Sequence, residues 1–107
     1  MGQNGIALPT KRDFAQQVAK SFRVSPAEAS AFDLALVEVN EIADDESQET
    51  FSLLFQAPAD APAVQMTYEV ENADLGKMHI FLVPVKKNHN GLYFEAIFNQ
   101  LKRSEQV

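Results

Sequence analysis

Residues 64–85 read VQMTYEVENADLGKMHIFLVPV, and this stretch decides the class of fold. Residues 64–70 alternate apolar and polar side chains, which is the pattern of a strand with one buried face. Residues 72–76 then form a polar turn that ends in glycine. Residues 78–85 are apolar at both alternating sets of positions, which is typical of a strand covered on both faces. The stretch therefore predicts two consecutive strands joined by a tight turn.

Two further strands flank this pair. Residues 51–56 read FSLLFQ and residues 93–99 read YFEAIFN, each with bulky apolar side chains on one face. Asn90-Gly91 is a strong hairpin signal, and a two-residue turn there would place Lys86 opposite Glu95. The pattern predicts one core that contains Phe51, Phe55, Phe81, Val83, Phe94 and Phe98.

The N-terminal third of the chain carries a helix signal. Residues 1–9 show little periodicity, and we expect a loose arm there. Thr10 can cap a helix over residues 10–22, in which Phe14, Val18 and Phe22 form one apolar stripe that docks on the β-core.

Residues 25–39 are ambiguous between helix and strand. Ser25 to Glu28 has the form of a helical capping box, yet FDLALVEV at 32–39 suits a strand. We predict a short turn at 25–29 followed by a strand, in which Val39 stays on the inner side only if a bulge intervenes.

The resulting fold class is α+β and mostly β. We expect a single domain over residues 1–107, with an N-terminal helix packed on a small antiparallel β-barrel or sandwich of about five to six strands within residues 31–100. Residues 102–107 are expected to form a polar tail.

Composition and charge exclude several functions. The net charge is −6, and all twelve acids between Arg23 and Lys77 stand without a single lysine or arginine among them. Such an acidic middle repels phosphate, so we expect no nucleic-acid partner. The acids of segment 28–74 are either solvated outer faces or a docking face for a basic protein. With no cysteine, no secretory signal and no long apolar run, the expected protein is soluble, cytoplasmic and free of the membrane.

The sequence holds no recognisable catalytic constellation. His79 and His89 are the only histidines, and neither has a metal-ligand partner at a known spacing. The Asp44-Asp45-Glu46 run could attract calcium, but it lacks the ligand alternation of an EF-hand loop. We therefore expect no enzyme activity, no catalytic residue, no metal site and no cofactor.

One cluster could bind a polar ligand. Glu95 lies in an aromatic-rich strand, and it would form a binding site if it pointed into a cavity with Tyr68, Tyr93 and Asn99. The competing interpretation places Glu95 on the solvent side, as the cross-strand partner of Lys86.

Four segments carry a family resemblance: FAQQVAKSFRV at 14–24, FSLLFQAP at 51–58, residues 64–85, and YFEAIFN at 93–99. They resemble an uncharacterised family of bacterial domains of this size, with a Phe-Ser-Leu strand, a Gln-x-x-Tyr strand, a Leu-Gly turn before Phe-Leu-Val-Pro-Val, and a closing Tyr-x-Glu-Ala-x-Phe-Asn. The family often has glycine where this chain has Met66.

The resemblance implies no activity, and it associates the domain with phage-tail-like gene neighbourhoods. The expected function is a non-enzymatic interaction or accessory domain with protein partners, such as a small component of a phage-tail-like or other multiprotein assembly. The alternative is a small-ligand-binding barrel with a pocket that includes Tyr68 and Glu95.

Overall fold

The computed structural model describes residues 9–27 and 29–101. Its elements are α1 (Lys11–Ala15), β1 (Ser21–Ser25), β2 (Phe32–Asp44), β3 (Gln48–Ala57), β4 (Met66–Asn72), β5 (Gly76–Asn88) and β6 (Gly91–Leu101). The strands are antiparallel and close into a ring in the order β1-β2-β3-β6-β5-β4, with β4 paired to β1. The predicted fold class, mostly β with one N-terminal helix, is confirmed. The predictions for residues 1–8 and 102–107 lie outside the described residues.

The helix begins where the sequence predicts and ends earlier. The Thr10 hydroxyl accepts a hydrogen bond from the Asp13 amide at 3.2 Å, and the Asp13 carboxylate accepts one from the Thr10 amide at 2.9 Å. This reciprocal capping box fixes the start of α1. The helix stops at Ala15, and Ala19 takes a left-handed conformation with φ +73° where the chain turns. The prediction of a helix over 10–22 was therefore too long.

Residues 21–25 form strand β1 because the ring needs this strand to close. Phe22 and Val24 alternate with exposed residues, and both are fully buried between β2 and β4. The helical spacing of Phe14, Val18 and Phe22 was misleading, since Val18 is 41% exposed and Phe22 reaches the core from a strand. Pairing on both sides of β1 outweighs the weak local preference for helix.

Strand β2 resolves the ambiguity at residues 25–39 as predicted. The chain turns after Ser25 and becomes a strand at Phe32. The register with β3 slips between Leu36 and Glu38, which is a β-bulge at Val37. Val39 consequently returns to the inner side and packs against the core.

Strand β5 faces the core with the opposite set of side chains from the one we expected. Met78, Ile80 and Leu82 are buried, whereas Phe81 is 50% exposed and Val83 is half-buried. The core prediction was wrong for Phe81 and Val83. It was right for four residues that are all buried: Phe51, Phe55, Phe94 and Phe98.

The β5–β6 hairpin turns one residue earlier than Asn90-Gly91. Asn88 pairs with Gly91, so the turn residues are His89 and Asn90. A bulge at Val85 then places Lys86 opposite Tyr93, with its Nζ 4.7 Å from the centre of the tyrosine ring. The predicted Lys86–Glu95 pair is absent from this register, in which Val83 stands opposite Glu95.

The core holds two groups of aromatic side chains, one at each end of the closed sheet. At one end α1 covers the opening, and the Phe14 ring lies 5.2 Å from Phe98 and 6.2 Å from Phe51. At the other end Phe32 and Phe94 pack with Tyr68. Aromatic pairs at these separations stabilise a core beyond the area they bury. The first group ties the helix to strands β3 and β6.

Candidate interaction surface

The outer side of β5 and β6 carries apolar side chains. We define the β5–β6 face as Phe81 and Val83 of β5 and Ile97 of β6, together with Leu54 of the adjacent strand β3. Phe81 is 50% exposed and Ile97 is 62% exposed, while Leu54 and Val83 are half-buried. Val83, Glu95 and Leu54 lie in one cross-strand row, and Phe81 and Ile97 are the next outward residues along β5 and β6. Contiguous apolar residues on the outside of a sheet are characteristic of a contact surface.

The ladder between β5 and β6 ends part-way along both strands. Its last pair is Val83–Glu95, although β6 continues to Leu101 and β5 begins at Gly76. Beyond that pair, residues 96–101 of β6 are paired only with β3, and residues 76–82 of β5 only with β4, as far as the described chain shows. We call this opening the β5–β6 split.

Local chemistry explains why the two strands part there. Pro84 lies opposite Phe94, next to the last pair of the ladder. Proline has no amide hydrogen to donate, so the β5–β6 ladder is weak at this end. The bulge at Val85 adds local twist close to the end of the ladder, and residues 76–82 of β5 pair with β4. Strand β5 therefore pairs with β4 along residues 76–82 and with β6 along residues 83–88.

The split forms a groove of about 260 Å³ on the outside of the sheet. Its floor contains the buried side chains of Ile80, Ala96 and Phe98. Phe81 and Ile97 stand at its rims. Three polar residues complete the lining: His79, Asn99 and Gln100.

The structure separates the four residues that the sequence grouped as a binding cluster. Tyr68 is buried inside the ring, 6.0 Å from Phe94, and its hydroxyl donates to the Val64 carbonyl at 2.6 Å. Three residues alternate with the inward side chains of β6 and so lie on its outer side: Tyr93, Glu95 and Asn99. Asn99 accepts a hydrogen bond from Thr50 at 3.1 Å. Tyr68 and Glu95 consequently do not share a pocket.

Tyr68 instead lines a pocket at the end of the closed sheet that lies opposite α1. This pocket has a volume of about 390 Å³ and an apolar lining of Pro26, Ala27, Ala29, Pro62, Val64, Met66 and Tyr68. Met66 stands at its wall, at the position where the resembling family often has glycine. Pro26 belongs to the Ser25–Glu28 segment, which the sequence suggested as a helical capping box, and Pro62 lies in the loop between β3 and β4.

Burial raises the pKa of the Tyr68 phenol above its ordinary value of 10.0. Because the unfolded chain ionises first, this contribution to stability is intact below about pH 10 and falls as the pH rises through the folded pKa. The chain has two tyrosines, so Tyr68 is the only one left in the Tyr93→Phe variant. Its tyrosinate absorbance should appear above pH 10 in the folded protein and return to the ordinary range in urea. Equal midpoints in both states would contradict the buried position of the ring.

A group of three carboxylates lies in the β2–β3 hairpin, next to Lys11 of α1. Ligand oxygens of Glu41, Asp44 and Glu49 lie within 4.8 Å of one another. The ammonium group of Lys11 is 2.7 Å from Glu41 and 3.9 Å from Glu49, and these carboxylates raise its pKa. The lysine thus already supplies a positive charge to this acidic group. His79 and His89 are exposed and are not among these ligands.

The described part of the chain contains no helix that is long and apolar enough to span a membrane.

One domain family matches residues 9–98, and its description is Domain of unknown function (DUF6916). The chain belongs to this family. The matched range contains α1, five complete strands and residues 91–98 of β6, so it includes the β5 side of the split and residues 96–98 of its β6 side. No curated protein and no solved structure matches this chain significantly.

The β5–β6 face could be found only in part from sequence. Ile97 stood on the outward set of β6, where an isoleucine among polar residues is a detectable signal. Phe81 gave no such signal because both faces of its strand are apolar. The split itself depends on where pairing ends, and no local pattern encodes that position.

Proposed function

We propose that this domain is a non-enzymatic interaction module that docks a protein partner through the β5–β6 face. The observation that carries the proposal is the pair of large apolar side chains at the split, Phe81 at 50% and Ile97 at 62% exposure. Leaving both in water is unfavourable, and covering them with a partner removes that cost.

The position of this face suits an accessory component of a larger assembly. It lies on the outer side of the sheet, whereas α1 covers one end of the ring and the apolar pocket opens at the other. A partner can therefore dock without disturbing the core. The assembly we propose is a multiprotein particle of the phage-tail-like kind.

Site-specific photocrosslinking in the native host tests this proposal. A photoreactive residue at position 81 or 97 should label the same protein partner. Position 42 is the control, because Ile42 is 54% exposed but lies on β2, which does not neighbour β5. Labelling of that partner from position 42 as efficiently as from 81 and 97 would contradict docking through the β5–β6 face.

The reconstituted complex gives a quantitative check. Ile97→Lys should weaken binding at least about tenfold, because a charge would be buried in an apolar contact. The stability of the free protein should change by no more than about 0.5 kcal/mol, since the side chain is exposed. Ile42→Lys should leave affinity unchanged. An unaltered Kd for Ile97→Lys would refute the proposal.

A second function is favoured by the pocket beside Tyr68. Its volume of about 390 Å³ lies within the range of small-molecule sites, and the mouths of closed sheets commonly hold them. The lining is apolar and the Tyr68 hydroxyl already has a partner, so the ligand class is a small apolar molecule. Benzene titration followed by the Met66 methyl resonance tests it. Saturable shifts at Met66 that are absent at Met78 would support this function, and no shifts would oppose it.

A further inference from the structure

We propose that the β5–β6 split binds an extended peptide segment of the partner, which adds as a strand to the free edge of β6. The inference rests on the proposed function and names the chemistry of the partner. It is drawn from the ladder geometry, the apolar floor and the exposed rims of the split.

The free edge specifies the kind of occupant. Residues 96–101 of β6 are paired with β3 on one side, while on the other side the described chain supplies no ladder partner. An unpaired strand edge presents alternate amide hydrogens and carbonyl oxygens that match the backbone of another extended chain. Six residues of free edge correspond to about 20 Å, which is the length of an ordinary strand.

The inner face of the same segment is already covered. The ring centres of Phe98 and of Phe14 in α1 are 5.2 Å apart, and the side-chain amide of Gln100 donates to the Pro9 carbonyl at 2.9 Å. The helix thus lies against the inner side of β6 near its end. Within residues 9–27 and 29–101, no strand pairs with this edge of residues 96–101.

The side chains at the split favour an apolar segment. An added strand would point alternate side chains inward, over Ile80 and Phe98, and outward, between Phe81 and Ile97. Both directions are apolar near the Val83–Glu95 pair, while His79 and Asn99 make the outward side polar farther along the split. β-branched or aromatic residues therefore fit best beside Phe81 and Ile97. Proline is disfavoured wherever the peptide must donate a hydrogen bond to β6.

The direction of the added strand also follows from the ladder. Pairing antiparallel to β6 is slightly more stable per residue than parallel pairing. In that direction the peptide runs the same way as β5 and begins at the open end of the split. Its last residue lies next to the Val83–Glu95 pair, where the carboxylate favours a lysine or arginine.

The test uses the full chain and a defined probe, the capped peptide Lys-Thr-Val-Thr-Val-Thr-Lys. Amide hydrogen exchange by nuclear magnetic resonance should show the split-facing amides of residues 97–101 slowing at least about tenfold at saturating peptide. Two matched peptides, N-methylated on one or the other set of alternate residues, separate edge pairing from side-chain docking. At least one of them should fail to bind.

Protein variants complete the experiment. Ile97→Lys should raise the apparent Kd of the unmethylated peptide at least about tenfold, whereas Ile42→Lys should not change it. Any of three results would overturn strand addition: no saturable effect of the peptide, equal binding of both methylated peptides, or split-facing amides already protected in the free chain. The last result would mean that a second copy or another segment of this chain occupies the edge.

The failure of strand addition is distinguishable from failure of the proposed function. If positions 81 and 97 crosslink to a partner but the peptide does not bind, docking through the β5–β6 face is supported and strand addition to β6 is refuted. Peptide binding without any crosslinked protein would support the edge site and remove the evidence for a docked partner.

Discussion

Replacing Phe94 with alanine should lower the free energy of unfolding by about 3–5 kcal/mol, the cost of deleting a fully buried aromatic ring. Phe94 has no exposed surface, and its ring lies 6.0 Å from Tyr68 and 6.5 Å from Phe32. Phe81→Ala is the matched comparison on the neighbouring strand. Because half of that side chain is already in water, the loss should be below about 1.5 kcal/mol. Urea unfolding measures both.

The comparison tests the orientation of β5 directly. Similar losses for Phe81→Ala and Phe94→Ala would mean that β5 presents its other face to the core and that the β5–β6 face does not exist. If Phe94→Ala does not fold, Phe94→Leu keeps the test usable, because a smaller hydrophobic substitution leaves a smaller cavity. Its loss should still exceed that of Phe81→Ala.

The strands that could be predicted from sequence have one polar and one apolar face. In β3 and β6 the alternation identified the inward residues correctly, including Phe51, Phe55 and Phe98. For these strands the side-chain period carries the information, since a shift by one residue would expose the whole apolar set.

The elements that could not be predicted lack this contrast. In β5 both faces are apolar, so the period identifies a strand but cannot say which face is inside. In β1 the burial of Phe22 depends on pairing with both β2 and β4, which are distant in sequence. Long-range pairing overrode the local helix pattern that includes Phe14.

The prediction that Tyr68 and Glu95 share a binding site was wrong for a related reason. Tyr68 and Glu95 are each on a correctly identified strand, yet the closure of the ring decides which side of the sheet each one faces. Tyr68 lies inside and Glu95 outside, so no pocket joins them. The split was beyond sequence analysis because it arises where a ladder ends. A proline at position 84 was visible, but its consequence depends on which strand lies opposite.

Gly91 is the position where adding a single methyl group should destabilise the hairpin most sharply. Its φ is +145°, and a Cβ there would lie 2.3 Å from the carbonyl oxygen of Ala57, far inside contact distance. Gly91→Ala combines backbone strain of about 1–3 kcal/mol with overpacking of about 1–3 kcal/mol. We expect a total loss of about 2–6 kcal/mol in urea unfolding.

Gly76 is the matched control, because its φ is +84° but a Cβ there meets no atom within 4 Å. Gly76→Ala should therefore lose only the backbone term, about 1–2 kcal/mol. The difference between the two variants therefore reports the contact between Gly91 and the Ala57 carbonyl on β3, together with the greater backbone strain at φ +145°. Equal losses would mean that the hairpin does not approach β3 this closely. A loss at Gly91 above about 3 kcal/mol, the upper limit of backbone strain alone, would show that the Ala57 carbonyl on β3 packs against the start of β6.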